Sequence, residues 1–237
     1  SAGNTGALFT AASLMLRRIK GVRRAALATV IPLEKPFILL DSGANIDATP
    51  DILLLYGRMG SIYAENVLGI KSPRVALLNN GGESHKGIPL YREAHALLAS
   101  DESINFTGNL EGRDAPFGVC DVLVADGFTG NIFLKTVEGM AAFMSANIKD
   151  IFSGSPAAFA AGALTVGKTA KLKKQLDPDE YGGAPFLGIT KPVIKAHGAS
   201  GDSAFCSAIK QAVVYKNSGT IEKITEAMKK LRTEETT

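Results

Sequence analysis

The sequence is poor in cysteine, because Cys120 and Cys206 are the only two among its 237 residues. Their separation fits neither a metal-ligand spacing nor a disulfide framework, which favours the reducing cytoplasm. Cys206 lies within an apolar helical pattern, so we expect it to be a small core residue. No signal peptide and no apolar run of membrane-spanning length is visible, and we therefore expect neither secretion nor a transmembrane segment.

A large excess of charge of one sign is also missing. The net charge of +3 is too small to indicate a nucleic-acid binder. The positive charges are nevertheless concentrated in two places, each typical of a solvated helix face but also suited to docking an acidic protein or a lipid headgroup. We call them the first basic cluster (Arg17, Arg18, Lys20, Arg23 and Arg24) and the second basic cluster (Lys168, Lys171, Lys173 and Lys174).

Several familiar catalytic arrangements are absent. The sequence contains no nucleophile elbow with a Ser, His and Asp order, no HExxH zinc motif and no carboxylate pair of the kind that glycosidases use. Residues 162–169 match the phosphate-loop pattern of nucleotide hydrolases. That pattern requires a preceding strand, whereas the Ala-rich residues 157–161 favour a helix, so we regard the match as accidental. Without a covalent nucleophile, direct transfer to a bound second substrate is the simpler chemistry.

What the sequence does have is glycine, with 25 residues gathered largely in loops that also carry Asn, Asp or Ser. Glycine allows the backbone to approach a ligand closely, and Asn and Ser offer neutral hydrogen-bonding groups. A strand that ends in such a loop before a helix leaves backbone N–H groups free for an anion. Together the loops predict a composite site for a phosphate-like ligand. The six loops are residues 1–6, 41–45, 79–83, 107–109, 126–131 and 197–201.

Three side chains in or beside these loops are candidates for chemistry, each with a structural alternative. Lys86 could serve as a point charge for phosphate or an oxyanion, or could be a solvent-exposed loop lysine. Asn131 could hydrogen-bond a ligand or cap the helix that follows. His197 could be a general base, or a structural histidine at the end of a strand.

Apolar runs of strand length alternate with helical patterns along the chain. This alternation predicts a mostly parallel sheet with helices on both faces. Residues 152–174, rich in Ala, Gly and Ser, predict a pair of helices that projects from the sheet. The predicted strands are residues 25–31, 37–40, 74–78, 122–125 and 193–196, and the predicted helices are residues 6–20, 53–67, 91–100, 127–147, 203–216 and 221–231.

Eight segments, in order and over nearly the whole chain, resemble the PlsX family of bacterial phosphate acyltransferases. They are residues 1–7, 40–45, 59–64, 73–75, 108–114, 126–131, 180–185 and 194–198. The family's opening strand and its Met-Gly-Gly-Asp segment do not occur here, so we expect a segment to precede Ser1.

The resemblance implies a three-layer α/β/α fold of the isocitrate/isopropylmalate dehydrogenase type, in a single domain over residues 1–237. It implies a helical hairpin at residues 139–176 with a membrane-contacting tip, a homodimer, and no metal or organic cofactor. The implied reaction converts acyl-[acyl carrier protein] and inorganic phosphate to acyl phosphate and free carrier protein, for phospholipid synthesis. The implied location is the cytoplasm, peripherally at the inner face of the plasma membrane, without a nucleic-acid partner.

The resemblance also implies roles for residues. Lys86 and Asn131 are the expected catalytic residues. We expect the first basic cluster to dock the acidic carrier protein and the second to contact membrane lipid. Rival interpretations are a phosphotransacetylase-like enzyme that uses coenzyme A thioesters and an inactive membrane-attached scaffold. The expected substrate-binding residues are Ser1, Asn4, Thr5, Asp41, Asn45, Gly81, Gly82, Asn109, Asp126, Gly130 and His197.

Overall fold

A seven-stranded sheet forms the centre of the computed structural model, which describes residues 1–33, 35–175, 183–196, 198 and 200–234. The strands are β1 (Ala26–Ile31), β2 (Phe37–Leu40), β3 (Arg74–Asn79), β4 (Asn105–Glu111), β5 (Val122–Val124), β6 (Ala184–Leu187) and β7 (Ile194–Lys195). The α-helices are α1 (Thr5–Ala11), α2 (Pro50–Val67), α3 (Pro89–Ser100), α4 (Gly127–Ser153), α5 (Pro156–Gln175), α6 (Asp202–Asn217) and α7 (Thr220–Glu234).

The strand order is β4-β3-β5-β2-β1-β6-β7. Pairings between β4, β3, β5 and β2 are parallel, whereas β1 pairs antiparallel with both β2 and β6, and β7 pairs antiparallel with β6. Five of the seven strands therefore run in one direction, which confirms the predicted mostly parallel sheet. Parallel strands need crossover connections. Helix α2 connects β2 to β3, and helix α3 connects β3 to β4.

Successive side chains along a strand point to opposite faces of the sheet, so the core is divided between the two faces. In β2, Ile38 and Leu40 join the cluster that α2, α3, α6 and α7 cover, while Phe37 and Leu39 join the cluster beneath α4. On that second face α1 packs through Phe9 against the β6 end of the sheet. Helices therefore cover both faces, which confirms the predicted three-layer α/β/α arrangement.

Four local features differ from the sequence analysis. The predicted helix over residues 6–20 ends at Leu16, because α1 continues only as a π-helix over Ala12–Leu16 and Arg17 takes φ +67°. Residues 107–109 are not a loop but part of β4, because Gly108 takes φ +101° inside a strand whose pairing with β3 shifts register. Strand β6, which contains Ala184 and Pro185, was not among the predicted strands, and it pairs with β1 far away in the sequence. Cys206 is exposed on α6 instead of buried in the core.

Helices α4 and α5 form a hairpin joined by Gly154 and Ser155. The two helices contact each other, and a groove of about 840 Å³ lies between residues 145–153 of α4 and residues 162–172 of α5. The accidental phosphate-loop match, residues 162–169, lies entirely inside α5. Within the described residues, no helix combines the length and the apolarity needed to cross a bilayer.

Candidate active site

Four of the six predicted loops meet at one edge of the sheet. Strands β2, β3, β4 and β5 are parallel neighbours, so their carboxyl ends lie at the same edge, which we call the carboxyl edge. Residues 41–45 follow β2, residues 79–83 follow β3 and residues 126–131 follow β5, while Asn109 lies near the end of β4. This convergence is what the loop composition predicted.

The Asp41 carboxylate organises the loop after β2. Its Oδ1 accepts hydrogen bonds from the backbone N–H groups of Leu27, Gly43 and Ala44 at 2.9–3.1 Å. Its Oδ2 accepts from the backbone N–H and from Nδ2 of Asn45, both at 2.8 Å. Burial raises the pKa of Asp41, although these hydrogen bonds act in the opposite direction. Asp41 and Asn45 are buried, so we expect them to position the loop instead of contacting a ligand.

The Asp126 carboxylate has the same kind of role at the start of α4. Its Oδ1 caps the helix by accepting from the N–H groups of Phe128 and Thr129, each at 2.9 Å. Its Oδ2 accepts from the hydroxyls of Thr129, at 2.7 Å, and Tyr91. Burial and the Asp126 carboxylate raise the pKa of Tyr91, so the phenol remains a donor. Because Asp126 is the cap, Asn131 is not needed for capping.

The loop after β2 and the first turn of α4 are in close contact. A Cβ atom at Gly130 would lie 2.0 Å from the carbonyl oxygen of Asp41, so only glycine fits there. A Cβ atom at Gly43 would lie 3.3 Å from the side chain of Asn131, which is otherwise exposed. The Asn131 carboxamide therefore lies over the loop with its hydrogen-bonding groups free for a ligand.

Lys86 lies across the loop after β3. Its Cγ is 2.8 Å from the position that a Cβ atom at Gly81 would take, so the lysine stem packs on the Gly81 backbone. Asn79 donates through Nδ2 to the carbonyl of Lys86 at 3.2 Å. The Lys86 side chain is half-buried, and its ammonium has no ion-pair partner among the residues described. Gly82 beside it is exposed with open space above it.

The first predicted loop lies with β7 and not with the other loops. The amino terminus of Ser1 donates to the carbonyl of Ile194 at 3.1 Å, and the N–H of Ala196 donates to the carbonyl of Ser1 at 2.8 Å. Asn4 caps α1, which begins at Thr5, by accepting from the Ala7 N–H. No hydrogen bond within the described chain joins this loop to the four at the carboxyl edge. His197 lies outside the described residues.

Two residues of α3 that the sequence analysis did not single out reach the site. Tyr91 bonds to Asp126, as described above, and His95 bonds to Asn109 at 3.0 Å. Their spacing of four residues places both on one face of the helix, and this spacing is a signal that the sequence offered. Ser42 was also missed; it is buried and its hydroxyl is 2.7 Å from that of Thr29.

Lys195 of β7 is a further missed cation near α4. Burial lowers its pKa, and so does the positive charge of Lys135, while Glu138 acts in the opposite direction. Lys135 itself pairs with Glu138 at 2.6 Å. In the described part of the chain, no three His, Cys, Asp or Glu side chains are placed to share a metal ion.

The family model described as "Fatty acid synthesis protein" matches residues 1–223. The chain belongs to this family. Its curated relatives include three proteins named phosphate acyltransferase, which confirms the family resemblance. That of Clostridium novyi is 47% identical over 94% of this chain and 68% of its own length. Those of Bacillus subtilis and Streptococcus pneumoniae are 43% and 48% identical over 99% and 89% of this chain. The chain spans about two thirds of the relatives' length, with 71% and 65% of the latter two covered.

Solved structures support the fold assignment of this phosphate acyltransferase family member. A phosphotransacetylase from Streptococcus pyogenes has a TM-score of 0.58 and 17% identity, over 91% of this chain and 61% of that one. The EutD phosphotransacetylase from Staphylococcus aureus has a TM-score of 0.52 and 16% identity, over 86% of this chain and 58% of that one. At these identities the likeness concerns the fold alone.

Proposed function

We propose that the protein is a phosphate acyltransferase that converts an acyl-[acyl carrier protein] thioester and inorganic phosphate to acyl phosphate and free carrier protein. A phosphate oxygen attacks the thioester carbonyl carbon, the carbon–sulfur bond breaks, and the carrier thiol leaves with a proton. Family membership supports the reaction class. The observation that carries it in this chain is the meeting of three loops, the end of β4, an unpaired lysine and a free carboxamide at the carboxyl edge.

In this proposal Lys86 neutralises phosphate or the developing oxyanion, and Asn131 donates a hydrogen bond to the tetrahedral intermediate. A half-buried ammonium without an ion-pair partner is available for an anion, and partial burial strengthens its attraction. Asn131, on the second turn of α4, lies over Gly43 of the loop after β2. Gly81, Gly82 and Gly130 would let the phosphate approach the backbone.

The remaining proposed ligand contacts are in the first predicted loop and in the segment after β7. The family resemblance is the basis for proposing Ser1, Asn4, Thr5 and His197 as substrate contacts, because Ser1 is bonded to the end of β7 and lies away from the carboxyl edge. Asn4 keeps its carboxamide nitrogen available, because only its oxygen is used in capping α1. Asp41, Asn45 and Asp126 would act indirectly, by holding the loops.

We propose that the first basic cluster guides the acidic carrier protein to the site. The cluster ends one residue before Ala25, whose carbonyl accepts from Asn45 Nδ2 at 2.7 Å, so it adjoins the carboxyl edge. Asp51 offsets the charge of Arg23, with which it pairs at 2.5 Å, and the four other exposed cations of the cluster keep the surface positive. Charged surfaces of this kind raise association rates more than final affinity.

We further propose that the α4–α5 hairpin, within residues 139–176, contacts the inner face of the plasma membrane from the cytoplasm. Large apolar side chains are exposed on it, including Phe143, Ile151, Leu164 and Val166, with Leu164 89% exposed. Exposed apolar groups flanked by lysines suit an anionic bilayer surface, and Lys168 is exposed on the same helix. A homodimer is part of the proposal, and sedimentation velocity would test it.

The test of the activity is to incubate the chain with phosphate and an acyl-carrier thioester, and to measure acyl phosphate and released thiol. We expect the two products in equal amounts. Acyl phosphate from coenzyme A thioesters alone would favour the phosphotransacetylase-like alternative. Vesicle binding without either product would favour the inactive scaffold.

A further inference from the structure

The carboxamide of Asn109 is hydrogen-bonded at both of its ends. Its Oδ1 is 3.0 Å from Nδ1 of His95 on α3, and its Nδ2 donates to the backbone carbonyl of Glu83 at 2.7 Å. The carboxamide therefore bridges a helix and the loop that follows β3. Asn109 itself is fixed in β4 by its pairing with Leu77 of β3.

The direction of these hydrogen bonds follows from the acceptor at one end. A backbone carbonyl can only accept, so the atom of Asn109 that faces Glu83 must be the NH₂ nitrogen. The atom that faces His95 is then the carboxamide oxygen, and His95 must carry a hydrogen on Nδ1. The His95 ring also packs edge-on against Phe106, with ring centroids 5.2 Å apart, which restricts its orientation.

The Glu83 carbonyl connects this bridge directly to the proposed catalytic lysine. The same oxygen accepts the backbone N–H of Lys86 at 3.1 Å, closing a turn over residues 83–86. The backbone carbonyl of Lys86 is held as well, because it accepts a hydrogen bond from Asn79 Nδ2. Because the Glu83 carbonyl accepts hydrogen bonds from both Asn109 and Lys86, it fixes the position of the Lys86 backbone with respect to β4.

We propose that Asn109 and His95 are positioning residues that hold the turn carrying Lys86, with His95 acting through Asn109. This inference rests on the proposed function for its consequence in catalysis, but the loop restraint stands on its own. Asn109 thereby has a role other than the direct ligand contact expected from sequence. Misplacement of a reacting group by about 1 Å costs on the order of 10²-fold in rate, so a restraint on this turn matters.

The test compares three variants of the chain with a control variant in β4, the strand that carries Asn109. Asn109→Ala removes the bridge, His95→Ala removes its support, and His95→Asn keeps a donor near the Nδ1 position. Thr107→Val is the control, because Thr107 donates to the Val75 carbonyl from the same strand without reaching the loop. Hydrogen exchange of a peptide covering residues 80–87, kcat and KM for phosphate are measured for each.

We expect Asn109→Ala to raise exchange in residues 80–87 and to lower kcat by about tenfold or more. His95→Ala should have the same effects to a smaller degree, and His95→Asn should restore both readouts to within about threefold of the unaltered chain. Thr107→Val should leave the exchange of residues 80–87 unchanged.

Unchanged exchange in both Asn109→Ala and His95→Ala would overturn the proposal, as would a His95→Asn variant as impaired as His95→Ala. If the unaltered chain makes no acyl phosphate, the proposed function fails. The exchange pattern then still decides whether the bridge holds the turn.

Discussion

Asn131 lies over Gly43, so closely that a Cβ atom on Gly43 would be 3.3 Å from three atoms of the Asn131 side chain. The contact joins the loop after β2 to the first turns of α4. It leaves the Asn131 carboxamide exposed and without a protein partner in the described structure. Two elements far apart in sequence thus hold a neutral hydrogen-bond donor at the carboxyl edge, where the proposed oxyanion would form.

Replacing Lys86 tests the proposed charge at this edge. We expect Lys86→Ala to lower kcat for acyl phosphate formation by about 10²–10³-fold, the typical cost of one oxyanion-stabilising group. Lys71→Ala is the control, because Lys71 is an exposed lysine that precedes β3 at the opposite edge of the sheet. Near-normal product formation by Lys86→Ala would contradict the assigned role.

Gly130 and Gly139 lie on the same helix, α4, and we expect an added methyl group to have opposite effects on stability at the two positions. Gly130→Ala places Cβ 2.0 Å from the Asp41 carbonyl, so we expect the free energy of unfolding to fall by about 1–3 kcal/mol and activity to be lost. At Gly139 nothing lies within 4 Å, and Gly139→Ala should stabilise the helix by about 0.5–1 kcal/mol. Urea unfolding measures both. Equal effects of the two variants would refute the close approach.

The ion pair between Arg74 and Asp121 predicts a pH-dependent stability. Arg74 donates to the Asp121 carboxylate from its backbone N–H, Nε and Nη2 at 2.8–3.0 Å. Burial alone would raise the pKa of Asp121, but these hydrogen bonds outweigh it and lower the pKa below its usual 3.8. The stabilisation is therefore complete above the unfolded-state pKa and is lost as the pH falls through the lower folded-state pKa.

We expect Asp121→Asn to lower the free energy of unfolding by about 1–2 kcal/mol at pH 7, a range reduced for the partial exposure of Arg74. The difference from the unaltered chain should shrink as the pH is lowered below about 4. Denaturant titrations at several pH values measure it, with exposed Glu102→Gln as control. A difference that is constant down to pH 2 would rule out this ionic contribution.

Charge reversal in the first basic cluster should weaken carrier docking. Arg17→Glu with Lys20→Glu alters two exposed cations. We expect the apparent KM for the carrier thioester to rise by about tenfold at low salt, and the effect to diminish as salt is added. Vesicle binding should not change. A carrier KM that stays constant while vesicle binding falls would exchange the roles proposed for the two basic clusters.

An acidic residue on the hairpin should weaken vesicle binding without changing carrier docking. Leu164→Asp places a charge at a fully apolar and largely exposed position, so co-sedimentation with anionic phospholipid vesicles should fall by about tenfold or more. The carrier KM should be unaffected. Ile209→Asp is the matched control, since Ile209 is an exposed aliphatic residue on α6 instead of the hairpin. Equal losses for both variants would count against a hairpin-specific contact.

The sequence by itself determined the layers and the loop sites. Four consecutive apolar residues in β2 and three in β5 are typical of short buried strands, and Asp126 followed by Gly127 marks the start of α4. Hydrophobic periodicity and capping are local properties, so they can be recognised without tertiary contacts. Family motifs then indicated Lys86 and Asn131 as the residues to test.

Only the tertiary structure decided which polar groups are left for a ligand. Asp41, Asp126 and Asn109 look alike in sequence as loop polar residues, yet all three are occupied by protein partners. Their partners lie up to 35 residues away, as Tyr91 does from Asp126, and no local pattern encodes such a distance. Gly108 was misjudged for the same reason, because β4 forms only through pairing with β3. Side-chain hydrogen bonding is decided by packing between elements, and packing is a property of the whole fold.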